Sequence, residues 1–275
     1  MTQPILPVFI GGYTKSGTTL VGRAFGLLDG VYTRGEADYF RIFHDRFNAM
    51  VREFNINIQF VNKEVYDGSG TIRPLTENRM AALHRSLFTR IFFNDQPVPQ
   101  DCRVLVEKSP RNIFHLDAIR FVFPTARVVC VYRDPMPTFR SLCRHMADHR
   151  SPAFNDPGSG PRRELIHKFS TRRWPNYVKI VEAERDNITI VRYDTLSRDL
   201  DGFMQFIQDR VIGRQLPLKA PVASLSKEAY LQSLPPERRK TSLVQTDSAQ
   251  RITLSDEEKA ILESKCLRPY VDFDF

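Results

Sequence analysis

Val8-Phe9-Ile10-Gly11-Gly12-Tyr13-Thr14-Lys15-Ser16-Gly17-Thr18-Thr19-Leu20 is an apolar run that stops at two glycines and resumes in helix-compatible sequence. That is the pattern of a strand, a tight loop and a helix start. Glycines let backbone N–H groups turn inward, and a helix N-terminus adds partial positive charge. Lys15 and the hydroxyls of Ser16, Thr18 and Thr19 around Gly17 complete a cradle for phosphate. The Walker spacing places Lys and then Ser or Thr directly after the second Gly. Gly12 and Gly17 have the Walker separation, but Thr18 stands where lysine should, and the only lysine of the loop, Lys15, precedes Gly17. The positive charge therefore sits on the approach to the loop, which argues against a magnesium-dependent nucleoside triphosphatase or kinase.

Outward from this loop, short and almost continuously apolar runs recur at 8–10, 104–106, 128–132 and 188–192, as expected for strands covered on both faces. Helical patterns follow or flank them at 18–28, 112–122, 135–149, 163–184 and 199–212. The alternation predicts an α/β fold, a P-loop-like three-layer sandwich with a central parallel sheet flanked by helices. Ligands gather at the carboxyl ends of such strands. That rule places the Lys15 loop and the residues after Val106 and Tyr132 on one edge. No linker divides the chain, so residues 1–275 read as a single domain, with a helical insertion at about 38–95. A stretch rich in Pro and Gly at about 150–162 reads as a mobile surface loop near the ligand edge.

The 275 residues, 41% of them hydrophobic, suffice for a substantial core. A formal net charge of +8, from 40 Lys and Arg against 32 Asp and Glu, suits anionic ligands. Its basic residues are dispersed, and neither zinc-finger spacing nor an RNA-recognition signature is present, so nucleic acid is not the expected partner. Cys102, Cys130, Cys143 and Cys266 lack metal-ligand spacing and read as buried free thiols. With no signal-like N-terminus and no apolar stretch long enough to span a bilayer, the expected setting is cytoplasmic, without an integral membrane segment.

Two further clusters follow strands. In Val106-Glu107-Lys108-Ser109-Pro110-Arg111-Asn112, Pro110 suits a first helical turn and Ser109 a cap, leaving Lys108 as a second positive charge on the ligand edge. In Val131-Tyr132-Arg133-Asp134-Pro135-Met136-Pro137-Thr138-Phe139-Arg140-Ser141, Arg133 leaves the strand and Ser141 follows about two helical turns later, so both can reach one anion. Taken alone, the Arg-Asp-Pro turn reads as an internal ion pair with a proline break.

Together these clusters resemble the sulfotransferases that use 3′-phosphoadenosine 5′-phosphosulfate (PAPS), on the side of their bacterial, carbohydrate and tyrosylprotein branches. Lys15-Ser16-Gly17-Thr18-Thr19 is similar to the family's 5′-phosphosulfate loop, and Arg133 with Ser141 to its 3′-phosphate pair. The likeness extends to Glu107-Lys108-Ser109-Pro110, to Phe123-Pro124-Thr125-Ala126-Arg127, to Trp174 and to Val191-Arg192-Tyr193-Asp194-Thr195-Leu196, in the family's order. It implies in-line transfer of a sulfuryl group to a hydroxyl or amine, with adenosine 3′,5′-bisphosphate as product and no metal required. Lys15 and Lys108 take the catalytic electrostatic role, and Tyr193 lines the adenine side. Glu36, in Arg34-Gly35-Glu36-Ala37-Asp38, stands where the family's glutamate base stands, whereas none of the six histidines matches a histidine base. The implied acceptor is a sugar, glycolipid, peptide or polar metabolite, anionic acceptors included. From Pro217 onward nothing is matched, and Arg238-Arg239-Lys240 is at most an analogue of the family's glycine-containing cofactor loop. A nucleotide kinase or GTPase, and a noncatalytic nucleotide- or polyanion-binding protein, are the competing readings.

Overall fold

Alternating side chains along β1 (Leu6–Gly12) feed two different cores, and this explains why the sheet is covered on both sides. In the computed structural model, which describes residues 4–225 and 252–275, five strands form one parallel sheet in the order β2-β3-β1-β4-β5. The other four strands are β2 (Val31–Arg34), β3 (Val104–Lys108), β4 (Arg127–Tyr132) and β5 (Thr189–Arg192). Val8, Ile10, Val106, Val129 and Val131 pack on one face against α1 (Thr18–Gly26) and α9 (Leu200–Phe206). Phe9, Leu105, Cys130 and Tyr132 face the opposite layer. That layer includes α3 (Glu77–Phe92), α4 (Leu116–Val122), α5 (Pro135–His149) and α7 (Trp174–Ala183). Phe9 alone meets the rings of Phe40, Phe88 and Phe123 at centroid distances of 5.4, 5.7 and 5.3 Å. Each such pair adds about 0.5–1.5 kcal/mol beyond its buried area.

The three-layer parallel architecture is therefore the one expected, and all four cysteines are buried and free. Several local expectations are corrected. The edge strand β2 escapes a periodicity search because only Val31 is buried, Tyr32 and Thr33 being half-buried and Arg34 exposed. The helix expected at 112–122 is a 3₁₀ turn, Pro110–Phe114, followed by α4. The long helices expected at 163–184 and 199–212 are interrupted or finished by π-helical segments, Phe169–Arg173 and Ile207–Ile212. The first separates α6 (Gly160–Lys168) from α7, and the second follows α9 after the short α8 (Tyr193–Leu196). A π-helical turn, Phe40–His44, leads into the 20-residue α2 (Asp45–Glu64).

The segment around 151–161 carries a 3₁₀ turn at Pro152–Asn155, and the hydroxyls of Ser151 and Ser159 accept the N–H groups of Ala153 and Arg162. Arg162, fully buried, donates to the carbonyls of Phe154 and Asn155 and makes a two-point ion pair of 2.8 Å with Glu258. Glu258 also completes a capping box with Ser255 at the start of α10 (Asp256–Lys265). The unmatched tail thus belongs to the fold where it is described: the Trp174 indole donates to the Leu267 carbonyl, and Arg192 N–H to that of Phe275. Arg238-Arg239-Lys240 lies outside the described residues. Among the described residues, no helix is long and apolar enough to cross a membrane.

Candidate functional site

Strand register decides which residues meet. Ile10 pairs with Lys108 and Gly12 with Val131, so the Lys15 loop emerges between the ends of β3 and β4. Arg34 pairs with Glu107, which brings Glu36 beside Lys108, and Tyr132 pairs with Arg192, which releases Arg133 and Tyr193 side by side. All these groups reach the carboxyl edge of the sheet, as the open α/β rule requires.

The loop from Gly12 to Thr18 is shaped by its backbone. Gly12 has φ +152° and Gly17 φ +105°, and a Cβ on Gly17 would lie 2.1 Å from Tyr193 Cδ2. A side chain at either position is excluded both by conformation and by space. Lys15 itself takes a left-handed φ of +75°, uncommon for a lysine and a form of strain that collects at ligand sites. Ser16 is fully buried under the loop, and among the described residues its Oγ has no hydrogen-bond partner. Such an orphan is rare in a folded interior and marks a place prepared for an acceptor oxygen or a water.

Lys15, Gly17, Thr18, Thr19, Arg133 and Ser141 line one cavity of about 440 Å³, within the usual range for a small-molecule site. Glu36 closes its other end together with Asp38, Arg111 and His145. Lys108 stands behind Glu36, with Nζ 2.6 Å from Glu36 Oε1, and is the more buried of the two. Tyr193 supports the cavity from below: its ring lies against Gly17, and the Arg133 guanidinium sits 4.5 Å from the ring centroid. Arg133 also donates to the Lys15 carbonyl at 3.4 Å, leaving its Nε without a partner among the described residues.

Two expectations about side-chain partners change. Ser109 does not cap the following turn; its hydroxyl donates to Glu107 at 2.6 Å and accepts the Asp38 N–H at 3.0 Å. Asp134 does not pair with Arg133. It holds Arg192 at 2.9 Å and Arg268 at 3.0 Å, so Arg133 is left facing the cavity. No residue from 151–161 is among those lining the cavity.

Electrostatics reflect partial enclosure. Burial pushes the Lys15 ammonium below the ordinary lysine pKa, and Arg144 and Lys108 add repulsion that Glu36 and Asp148 oppose. Burial likewise lowers His145, helped by Lys15 and His149. A site with this balance favours an incoming anion, which relieves the repulsion among its cations. His145 was legible in principle: it follows Ser141 by four residues on α5 and so shares its face. Asp38 and Arg111 carry no such signal, because chain turns rather than helix periodicity bring them to the wall.

The profile of the sulfotransferase family matches residues 7–212, well over half of the chain. No curated protein sequence matches. Among solved structures, a sulfotransferase from Alicyclobacillus acidocaldarius is 15% identical, with 97% of each chain covered and a TM-score of 0.49. Mouse sulfotransferase SULT7A1, solved in complex with PAP, is 11% identical over 96% of this chain and 90% of its own, with a TM-score of 0.49. Sulfotransferase STF1 from Mycobacterium tuberculosis is 17% identical over 87% of this chain and 76% of its own, at 0.45. These scores are too low to carry an argument, so the assignment rests on the profile. It extends from β1 and the glycine loop past Arg133, Ser141 and Tyr193, and the chain belongs to the sulfotransferase family, enzymes that transfer sulfuryl groups.

Proposed function

We propose that this protein transfers a sulfuryl group from PAPS to a hydroxyl or amine of a polar acceptor, releasing adenosine 3′,5′-bisphosphate. The observation that carries this reading is the cationic side of the cavity, where Lys15 and the glycine-shaped loop meet Arg133 and Ser141. A donor with phosphate groups on both its 5′ and 3′ positions needs two such anion-binding groups. The residues present fit it, since Ser16 Oγ and Arg133 Nε are unpartnered among the described residues and no side chain projects from Gly12 or Gly17. When bound, PAPS supplies an activated sulfuryl group on a phosphate leaving group.

The roles of the chain's own residues follow from charge. The N–H groups and hydroxyls of residues 16–19 hold the 5′-phosphate oxygens, and the α1 N-terminus adds partial positive charge there. Lys15 and Lys108 stabilise negative charge that accumulates on the leaving phosphate, the kind of term that dominates phosphoryl and related transfers. Arg133 and Ser141 take the 3′-phosphate, with Tyr193 as the platform that fixes Arg133. Glu36 accepts the proton of the attacking group. Its side chain is 53% exposed on the cavity side and is fixed by Lys108, so it can face an acceptor arriving from solvent.

Glu36, Asp38, Arg111 and His145 make the acceptor end polar and of mixed charge, which supports a sugar, peptide or polar metabolite over a flat phenol. Thermal-shift comparison of adenosine 3′,5′-bisphosphate with ATP plus magnesium tests the donor. A ligand at 100 times its dissociation constant stabilises by about 2.7 kcal/mol, so preference is readily seen. The bisphosphate is expected to stabilise more. Preferential stabilisation by ATP and magnesium would instead favour a nucleotide kinase or GTPase and overturn the proposal. Incubation with labelled PAPS and fractionated cell extracts then identifies the acceptor.

A further inference from the structure

A buried carboxylate that none of the proposed chemistry uses lies directly beneath the acceptor end. Glu107, on β3, is 1% exposed. Its Oε1 accepts the Ala37 N–H at 3.1 Å and the Ser109 hydroxyl at 2.6 Å, and its Oε2 accepts Asn112 Nδ2 at 2.6 Å. Ser109 Oγ in turn accepts the Asp38 N–H at 3.0 Å, and Asn112 Nδ2 also donates to the Ile10 carbonyl at 3.1 Å. One side chain therefore ties together three segments: the 35–38 turn that carries Glu36, the end of β3 that carries Lys108, and the end of β1 that leads into the cradle.

We propose that Glu107 is a positioning residue whose carboxylate, through Ala37 and Ser109, sets the place of Glu36 opposite Lys108. The catalytic consequence rests on the reading of Glu36 as proton acceptor given above. Every partner of Glu107 is placed as a donor, which suits an acceptor-only carboxylate, while burial pushes its pKa up against the opposing pull of Ser109, Asn112, Ala37 and Lys108. An apolar side chain in this place would leave the Ala37 N–H, the Ser109 hydroxyl and the Asn112 amide without this acceptor. What the carboxylate adds is registration. The turn it holds needs that restraint: Asp38 is left-handed at φ +50°, and Gly35 has open space around its Cα. Beyond these two N–H bonds, the Glu36 side chain is tethered by its ion pair to Lys108. A misplacement of about 1 Å at a reacting group costs on the order of a hundredfold in rate.

The test reads Lys108 directly, without needing the acceptor. Trace labelling with acetic anhydride, quantified by mass spectrometry of the Lys108 peptide, reports how firmly Glu36 engages the ammonium. Labelling is expected to rise in Glu36→Gln and to rise similarly in Glu107→Gln, with no additional rise in the double variant. Lys168, paired with Glu164 on the outside of α6, should label unchanged, and calorimetric affinity for adenosine 3′,5′-bisphosphate should stay near that of the wild type. Unchanged Lys108 labelling in Glu107→Gln while Glu36→Gln responds would overturn the proposal. So would a double variant that multiplies the two effects, or loss of bisphosphate affinity in Glu107→Gln, each of which marks a general structural role. Should Glu107→Gln fail to fold, Ser109→Ala removes the link to Asp38 and keeps the carboxylate. It is expected to raise Lys108 labelling, and no rise would count against the proposal. Normal turnover of Glu36→Gln with labelled PAPS removes the base assignment alone, because the labelling outcome still judges Glu107.

Discussion

The two ends of the cavity are built by different means. At the proposed donor end, the loop is made within one short stretch, Gly12 to Thr19, whose shape comes from backbone torsions and the absence of side chains at its glycines. At the acceptor end, Glu36 is placed by Lys108, Glu107 and Ser109, partners some 70 residues away that are joined to it through β-sheet register. A backbone-built site is rigid, because its shape does not depend on side-chain rotamers. A site built by side chains across strands can be retuned one residue at a time, which suits the half of the reaction that chooses the acceptor.

The most severe challenge to this division is Lys15→Met, expected to lower kcat by about 10²–10³-fold through loss of a charge aimed at the leaving group. Labelled-PAPS turnover measures it, and a loss below tenfold would move the electrostatic work elsewhere. Glu36→Gln is expected to cost about a hundredfold in kcat, with bisphosphate affinity intact by calorimetry. Weakened nucleotide binding in that variant would mean that the two ends are not separable. Arg133→Ala should remove most of the preference for adenosine 3′,5′-bisphosphate over adenosine 5′-monophosphate, a charged hydrogen bond worth about 1.5–3 kcal/mol. Equal discrimination before and after the change would displace Arg133 from the 3′-phosphate.

Smaller in scale is Gly17→Ala, which places a Cβ against Tyr193 at a left-handed φ and should destabilise by about 1–3 kcal/mol. The fall in Tm should be accompanied by weaker bisphosphate binding but unaltered Lys108 labelling. The subtlest expected effect is in pH dependence. Because burial holds Lys15 below the ordinary lysine value, its folded form releases a proton before the unfolded form does as pH rises. The alkaline limb of kcat/KM should therefore fall below the usual lysine range, and Lys15→Arg should move it upward, since guanidinium stays charged. An unmoved limb would show that another group titrates there.

What the sequence disclosed follows the same line. The cradle, Lys108 and Arg133 stood out because each lies within a few residues of a strand end, and Ser141 because it follows Arg133 by about two helical turns; the cavity lining includes the cradle, Arg133 and Ser141. The central strands were legible from their continuous apolar runs, and α5 from its prolines at the start and its periodicity. The edge strand β2 was not, since a single buried residue, Val31, followed by two half-buried ones and an exposed arginine gives no periodic signal. Nor was the use of Ser109: a serine before proline at a helix start satisfies the rule for a cap, but a nearby buried carboxylate competes successfully for its hydroxyl. Asp134 shows the same limit, because its true partners, Arg192 and Arg268, lie 58 and 134 residues along the chain. Long-range pairing overrides local preference wherever a charge is taken out of water.

The two border strands of the sheet pose a hazard that active-site chemistry does not reveal. An uncovered strand edge is a template for pairing with another molecule. Here β2 is only four residues long, and Lys219 Nζ occupies the Val31 carbonyl at 3.0 Å. On the far side, the main chain of Asp274 and Phe275 bonds to Ile190 and Arg192, while the Asp274 carboxylate accepts the Ile190 N–H at 2.6 Å. The irregular tail thus acts as a stopper on β5. It spends backbone bonds that would otherwise recruit a stranger, and it lets a parallel sheet open its ligand edge to solvent without also offering its flank for aggregation.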